Sequence, residues 1–281
     1  MFPQVGDFLD ECDALSGLLE PLSDGDFETK TQFKGWTIHD VVAHLQHWNV
    51  AAELSLRDAA GFRAFMKPVG EGLARGRPLA LIAEEWLGGL RGRALLEEWR
   101  RFYRELAGRF GAADPKARVP WAGPDMSVRS SVTARLMETW AHGQEVYDVL
   151  GVERRDGDRI RNIAQLGVNT FGWTFRNRGL EVPAEVPCVR LVAPSGASWE
   201  WNEGSAGSRV EGSASEFCQV VTQVRSLCDT QLRIIGETAR RWMSIAQCFA
   251  GAAADPPAPG TRTRQTRPRT GQAPGEGTRW T

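Results

Sequence analysis

Long hydrophobic runs are missing from this 281-residue sequence. No stretch approaches the roughly 20 apolar residues that a membrane-spanning helix needs. The first twenty residues carry acidic side chains and lack the basic and apolar regions of a signal peptide. An excess of one charge is also missing, since 34 Lys and Arg residues face 35 Asp and Glu residues. Nothing global therefore points to nucleic acid or an anionic membrane, and we expect a soluble, cytoplasmic protein.

Paired cysteines and familiar catalytic motifs are absent as well. The five cysteines form no C-x-x-C pair, and their odd number and wide spacing argue against a disulfide framework. No P-loop, G-x-G-x-x-G or G-x-S-x-G motif supports nucleotide binding or serine-hydrolase chemistry. Eleven tryptophans stand against two tyrosines. This balance favours large apolar packing over an aromatic-lined pocket.

The first 152 residues have the apolar spacing of a helical bundle. A first helix is predicted over 5–22, and a second begins after Thr37, which can form a capping box with Asp40. One long or two shorter helices are expected over 78–110, with Gly88-Gly89 as a plausible break, followed by an extended connection over 113–127. A fourth helix is predicted from about Val128 to Leu150, after a Ser127 cap and before Gly151. Four principal helices with polar outer faces predict an antiparallel four-helix bundle.

The pattern changes after residue 152. One further helix is predicted over 160–178, and amphipathic helices over 213–226 and 237–249. Short strands are expected over 188–192, 198–201 and 231–235. The fold class is thus α+β, with a bundle over 1–152 and a small α/β domain over 153–251. The remaining residues, 252–281, are rich in Pro, Gly, Thr and Arg, so a disordered tail is expected.

A metal site is the sharpest functional hypothesis. Glu138 and His142 are four residues apart on a predicted helix, so their side chains share one face. A histidine from a facing helix could complete a set of two imidazoles and one carboxylate, which suits Zn²⁺ or a similar ion and leaves a coordination position open. On spacing alone the commoner interpretation is a surface helix pair worth about 0.3 kcal/mol. The E-x-x-x-H pattern is a weak motif by itself.

Three of the four histidines lie close together on the second helix. His39 is at its start and is expected to be solvated. His44 stands among Val41, Leu45 and Trp48 and is the preferred third ligand. His47 could share that face and act as an acid or base near the metal, although a partly exposed polar role is the commoner one.

Two segments resemble a known family. Residues 35–45, GWTIHDVVAHL, and residues 134–146, ARLMETWAHGQEV, resemble the N-terminal domain of the mycothiol-dependent maleylpyruvate isomerases, which are DinB-like four-helix metal-binding proteins. The resemblance implies that His44, Glu138 and His142 bind a divalent metal, usually zinc.

The resemblance extends into the second half of the chain. Residues 210–223 and 242–251 look like an uncharacterised actinobacterial subfamily, so it covers about 5–251. The chain departs from this likeness at Val224-Arg225, where two consecutive basic residues are expected. If these positions contact an anionic group of a thiol or substrate, Arg225 is the candidate contact. The family likeness implies a metal-dependent isomerase or transferase that acts on a small electrophilic molecule with mycothiol or a similar thiol as cosubstrate.

Several alternatives stay open. Arg135, three residues before Glu138, could hold a substrate carboxylate or the glutamate itself, or be a surface or structural residue. Asn49, Trp36 and Trp121 fit a pocket lining and a core equally well. A thiol-independent hydrolase, lyase or cyclase, and a non-catalytic metal-binding protein, would use the same ligands. The second domain could close the pocket or form a homodimer.

Overall fold

Four long helices form the frame of the N-terminal half. The computed structural model describes residues 1–204 and 207–265. The helices of this half are α1 (Pro3–Leu19), α2 (Ile38–Arg57), α3 (Ala59–Ala74), α4 (Leu79–Leu87), α5 (Gly92–Ala112) and α6 (Val128–Val149). Helices α1 and α2 each pack against both α5 and α6. This arrangement confirms the predicted four-helix bundle, with α3 and α4 as an added pair that packs on α2.

Local sequence signals set the ends of these helices. The predicted capping box is present, because Thr37 Oγ1 accepts a hydrogen bond from the Asp40 amide at 3.1 Å and Asp40 Oδ2 accepts one from the Thr37 amide at 2.8 Å. The hydroxyl of Ser127 caps α6 by accepting from the Ser130 amide. The chain turns after α4 at Gly88, whose φ of 61° favours glycine. The break expected at Gly88-Gly89 is therefore confirmed.

Helix α3 was not predicted from the sequence. It contains Pro68 in its interior and several glycines, which are residues that normally weaken a helix. Its buried residues are few, namely Phe62, Val69 and Gly72. Packing on α2 compensates for the weak helix propensity of the segment.

The second half contains a four-stranded mixed sheet. Its strands are β3 (Cys188–Val192), β4 (Ser198–Trp201), β5 (Arg209–Ser213) and β6 (Arg233–Ile235). A separate two-stranded ribbon, β1 (Arg118–Val119) and β2 (Met126–Ser127), lies between α5 and α6. The strand order is β4-β3-β5-β6; β3 and β5 are parallel, and the other pairs are antiparallel. The first two predicted strands are confirmed, the third is shorter than expected, and β5 was not predicted. The helix predicted over 213–226 overlaps only the last residue of β5.

Short helices connect the sheet to the bundle. They are α7 (Arg161–Asn169), α8 (Phe171–Arg176), α9 (Ala214–Val221) and α10 (Glu237–Met243). The single helix expected over 160–178 is two helices, α7 and α8, which meet at Thr170. Helix α7 packs on both α6 and α9. The buried carboxylate of Glu11 in α1 pairs with Arg154 and Arg159, and these ion pairs tie the bundle to the following segment.

Residues 252–265 differ from the expected disordered tail. Asp255 accepts a hydrogen bond from Arg178 at 2.8 Å, and the Gln265 amide donates to the Asp148 carbonyl at 2.9 Å. Arg262 donates to the Gln223 carbonyl at 2.8 Å and lies over the Phe33 ring at 4.8 Å. Polar and cation–π contacts thus hold a segment that has little aliphatic surface to bury. The rest of the predicted tail, 266–281, lies outside the described residues.

No helix in residues 1–204 and 207–265 combines the length and the apolar character needed to cross a membrane.

Candidate metal centre

Helices α2 and α6 bring three side chains to one point. His44 on α2 faces Glu138 and His142 on α6, and the ligand atoms of the three residues all lie within 4.8 Å of one another. Glu138 Oε2 is 3.2 Å from His44 Nε2 and 3.5 Å from His142 Nε2. Glu138 and His142, which share one face of α6, both point to the inside of the bundle, and His44 is the histidine of α2 that meets them.

The separations suit a zinc ion. Nitrogen and oxygen ligands at about 2.0–2.2 Å in a tetrahedral arrangement lie roughly 3.3–3.6 Å apart. The separations of Glu138 from the two histidines, 3.2 and 3.5 Å, fall in or next to that interval. Two imidazoles and one carboxylate are also a donor set that zinc accepts, and three protein ligands leave a position for another molecule. The residues present thus fit a mononuclear divalent metal.

Electrostatic coupling within the group is strong. Burial lowers the pKa of His44 to about 4, although its hydrogen bond with Glu138 acts in the opposite direction. Burial also opposes protonation of His142, but the neighbouring carboxylates Glu145 and Glu138 outweigh it and raise the pKa of His142 to about 9. For Glu138, burial is outweighed by the hydrogen bonds from both histidines, which hold the pKa of its carboxyl well below the usual range. Glu138 is therefore a carboxylate, the form that binds a cation.

Further contacts fix the orientation of His142. Its Nδ1 lies 3.3 Å from Glu145 Oε2, one turn later on α6. The Trp36 ring stacks on the His142 ring with centroids 5.4 Å apart, and Phe33 meets the same ring edge-on at 5.2 Å. Phe33 and Trp36 reach it from a tight turn in which Gly35 adopts a φ of 70°. His142 is thus held so that Nε2 faces the other two ligands.

Aromatic side chains line the region beyond His44. The Trp48 ring lies 6.2 Å from the His44 ring and 5.6 Å from Trp121, which stacks on Phe62 of α3. These rings form an apolar wall, which we call the aromatic wall and define as Trp48, Phe62 and Trp121. Of two candidates for pocket lining, Trp36 packs against His44 and His142, whereas Trp121 is linked to His44 only through Trp48.

Comparison with known proteins agrees with this geometry. Residues 8–147 match the profile of the mycothiol maleylpyruvate isomerase N-terminal domain. Two uncharacterized proteins of Mycobacterium tuberculosis, one from each of two strains, are each 39% identical to this chain over 255 residues. These alignments cover 89% of this chain and 96% of each relative.

This chain belongs to the family of proteins that contain the mycothiol maleylpyruvate isomerase N-terminal domain.

Two solved structures share the fold of this family member. They are crystal structures of the mycothiol-dependent maleylpyruvate isomerase and of a histidine-to-alanine mutant of that enzyme, with TM-scores of 0.50 and 0.51. Identity is 15% and 14%, and each match covers 77% of this chain and 86% of the other. At this identity the likeness concerns the fold, and it confirms the α+β architecture expected from the sequence.

Arg135 lies inside the bundle and is not a surface residue. It is 2% exposed, and its Nε and Nη2 atoms have no hydrogen-bond partner within residues 1–204 and 207–265. Its charge acts on Glu138, on His44 and on His47. The guanidinium is therefore close to the three candidate ligands. Its Nε and Nη2 atoms do not donate a hydrogen bond to Glu138.

The other two histidines of α2 have different surroundings. His39 is 1% exposed and its Nε2 lies 2.6 Å from Glu84, so the expectation of a solvated residue is wrong. Helix α4 covers it. His47 is also buried, and its ring packs between Phe65 and Trp86 at 4.7 and 5.1 Å. Burial and the charge of Arg135 lower the pKa of His47 to about 4, so it is neutral at pH 7 and poorly suited to donate a proton.

Arg225 lies beside a cavity next to α6. It donates to Asp148 at 2.6 Å and to the Val224 carbonyl, and neither acceptor is one of the three candidate ligands. The cavity has a volume of about 560 Å³ and also contains Gln144, Arg154 and Thr263. Arg225 thus forms an ion pair with Asp148 of α6. Its contact with a thiol remains a prediction.

Two neighbours of the site were missed from the sequence. Glu145 follows His142 by three residues, a spacing that places it one turn away on the same side of the helix. This spacing can be read directly from residues 134–146 of the sequence. Phe33 had no comparable signal, because its contact with His142 depends on the fold of the loop before α2.

Proposed function

We propose that the protein is a divalent-metal-dependent enzyme that activates a small-molecule thiol, such as mycothiol, for reaction with an electrophilic small molecule. His44, Glu138 and His142 would hold the metal. The convergence of their donor atoms, with separations of 3.2 and 3.5 Å, is the observation that carries the proposal. The relation to an enzyme named as a mycothiol-dependent isomerase supports the choice of thiol.

The ligand set suits thiol activation. A bound zinc ion would lower the pKa of a thiol that coordinates it, so that the thiol is a nucleophilic thiolate at neutral pH. The protein supplies one anionic and two neutral ligands, so the centre would retain positive charge that attracts the thiolate. Trp36 and Phe33 pack on His142 and shield one side of the group from water.

The aromatic wall gives the electrophile a place to bind. Trp48 of the wall is the ring that approaches His44, and Trp121 and Phe62 continue the apolar surface away from it. Flat unsaturated molecules bind well against such rings. A substrate on this surface would lie beside the thiolate and be held in the orientation that addition requires.

The reaction is an addition to an activated carbon–carbon double bond. The thiolate forms a C–S bond, and the electron pair of the double bond moves to the activating group. In an isomerase, rotation about the new single bond precedes expulsion of the thiolate, which restores the double bond and the thiol. In a transferase, a proton is taken up at carbon and the C–S bond remains.

A cobalt substitution experiment tests the proposal. The purified protein is loaded with Co²⁺ and titrated with mycothiol while the absorption spectrum is recorded. A thiolate bound to cobalt should produce a sulfur-to-metal charge-transfer band in the near ultraviolet. S-methyl mycothiol is the matched control, because it keeps the sugar portion but cannot form a thiolate.

The proposal fails if mycothiol leaves the cobalt spectrum unchanged. It also fails if calorimetry shows the same mycothiol affinity with and without metal. Turnover of an unsaturated electrophile without any thiol would instead favour a hydrolase or lyase. The variant Glu138→Ala, which removes one donor, should show neither the metal nor the band.

A further inference from the structure

A short hairpin covers the candidate ligands. Residues 30–37, which we call the cover loop, precede α2, and their first and last residues form an antiparallel bridge. Phe33 and Trp36 of this loop pack on the His142 ring. His44 and His142 are only 7% and 9% exposed, so a molecule that reaches them must displace part of their cover. A hairpin outside the helices can move while the bundle stays folded.

A segment from the other end of the chain lies across this loop. Residues 260–265, which we call the strap, contact the cover loop at two successive positions. Arg262 lies over the Phe33 ring at 4.8 Å, and the Thr263 amide donates to Gln32 Oε1 at 2.7 Å. A cation over a ring and a hydrogen bond each favour the closed position of the loop.

The strap is held in place by the second half of the chain. Arg262 Nη1 donates to the Gln223 carbonyl at 2.8 Å, and the Gly260 amide donates to the Asp229 carboxylate at 2.9 Å. Gln223 has a φ of 58°, which is unusual for a residue other than glycine, and its buried side chain donates to two backbone carbonyls. One arginine thus links a fixed point of the second half to the loop over His142.

We propose that the strap is a latch on the cover loop and that Arg262 sets how often the loop opens to admit a metal ion or a thiol. This inference rests on the proposed function for the identity of the site and adds how access to that site is controlled. When Arg262 leaves Phe33, the loop loses its link to Gln223 but keeps its own bridge. Arg262 acts through the loop, so it is a positioning residue.

Hydroxyl-radical footprinting of the metal-free protein tests the latch. Mass spectrometry after a brief radical pulse reports how fast each accessible side chain is oxidised. Trp36 is the probe, because its ring lies on the two histidines, whereas Arg262 lies over Phe33. In Arg262→Ala, Trp36 should be oxidised about twofold faster or more, since local opening exposes it. Trp99, buried in the bundle core, is the internal reference and should be unchanged.

Two further variants separate the latch from a general loosening of the chain. Gln32→Ala removes the other strap contact from the side of the loop and should also speed oxidation of Trp36. Arg178→Ala is the matched control, because Arg178 hydrogen-bonds residues 254–255 and not the cover loop, and it should leave Trp36 unchanged. Equal oxidation of Trp36 in Arg262→Ala and the unmodified protein would overturn the inference. An equal increase in Arg178→Ala would overturn it as well.

Zinc exchange followed by stopped flow gives an independent readout. A latch controls passage in both directions, so Arg262→Ala should raise the rate constants of zinc uptake and of zinc release to a chelator by the same factor, about fivefold or more. The dissociation constant should then stay within about threefold. Faster release without faster uptake would show that Arg262 supports the ligands, and would overturn the latch. An unmodified protein that binds no zinc would refute the proposed function, and footprinting of the metal-free chain would still decide the latch.

Discussion

Glu145 Oε2 lies 3.3 Å from Nδ1 of His142, on the side of the imidazole ring opposite the atom that faces Glu138. A carboxylate in this position holds the Nδ1 proton, so Nε2 is the atom that would bind a metal once it gives up its own proton. Glu145 is only 6% exposed, so water competes little for this contact. The relationship gives His142 a defined orientation before any metal arrives.

Replacing Glu145 should weaken metal binding without removing a ligand. Glu145→Ala is expected to reduce zinc affinity about 10–100-fold, because carboxylates that orient metal-binding histidines typically contribute that much. Glu145→Gln keeps an acceptor oxygen and should lose less. Competition titration against a zinc chelator measures both. Unchanged affinity in Glu145→Ala would show that Trp36 and Phe33 are enough to orient His142.

Arg262 should contribute measurably to stability. It hydrogen-bonds the Gln223 carbonyl and lies over Phe33, so Arg262→Ala is expected to lower the free energy of unfolding by about 1–2 kcal/mol. Arg264, whose pairing with Glu153 joins two exposed side chains, is the matched control. Arg264→Ala should change stability by less than about 0.5 kcal/mol. Urea unfolding followed by tryptophan fluorescence compares them. Equal effects of the two substitutions would contradict the contacts seen for residues 252–265.

Thiol reactivity should single out Cys228. It is exposed, whereas the other four cysteines are buried. Burial raises the pKa of Cys12 and of Cys218 well above the usual range. Raising the pH from about 7 to 9 should therefore leave these two thiols unmodified by the reagent. Mass spectrometry after brief treatment with iodoacetamide should show one modification, and five after denaturation. Rapid native modification at Cys12 would contradict the packing of α1 against α6.

Much of the bundle could be predicted because its signals are local. The capping box of Thr37 and Asp40 and the helix stop at Gly88 depend on neighbouring residues, and both are confirmed. Helix α3 could not be predicted in this way, because Pro68 and its glycines argue against a helix that only packing on α2 stabilises. Strand β5 pairs with β3 across more than fifteen residues of intervening chain, a distance at which local patterns carry little information.

The candidate site also combines features that local sequence predicts with features that only packing determines. Spacing placed Glu138 and His142 on one face, but the choice of His44 over His39 depended on which side of α2 meets α6. The burial of His39 under α4 was not visible in the sequence, because the contact with Glu84 spans 45 residues. Arg135 was also ambiguous, since its type and position fit a surface as well as an interior. Only the packed bundle shows that it is buried and that two of its nitrogens lack partners in the described part of the chain.

Zinc stoichiometry tests the central claim most directly. The purified protein is stripped of metal, incubated with excess zinc, desalted, and measured by inductively coupled plasma mass spectrometry. We predict about one zinc per chain, a loss of that zinc in His44→Ala, Glu138→Ala and His142→Ala, and its retention in His39→Asn, a histidine control on the same helix. Retention of stoichiometric zinc by all three ligand variants, or no zinc in the unmodified protein, would contradict a metal centre built from His44, Glu138 and His142.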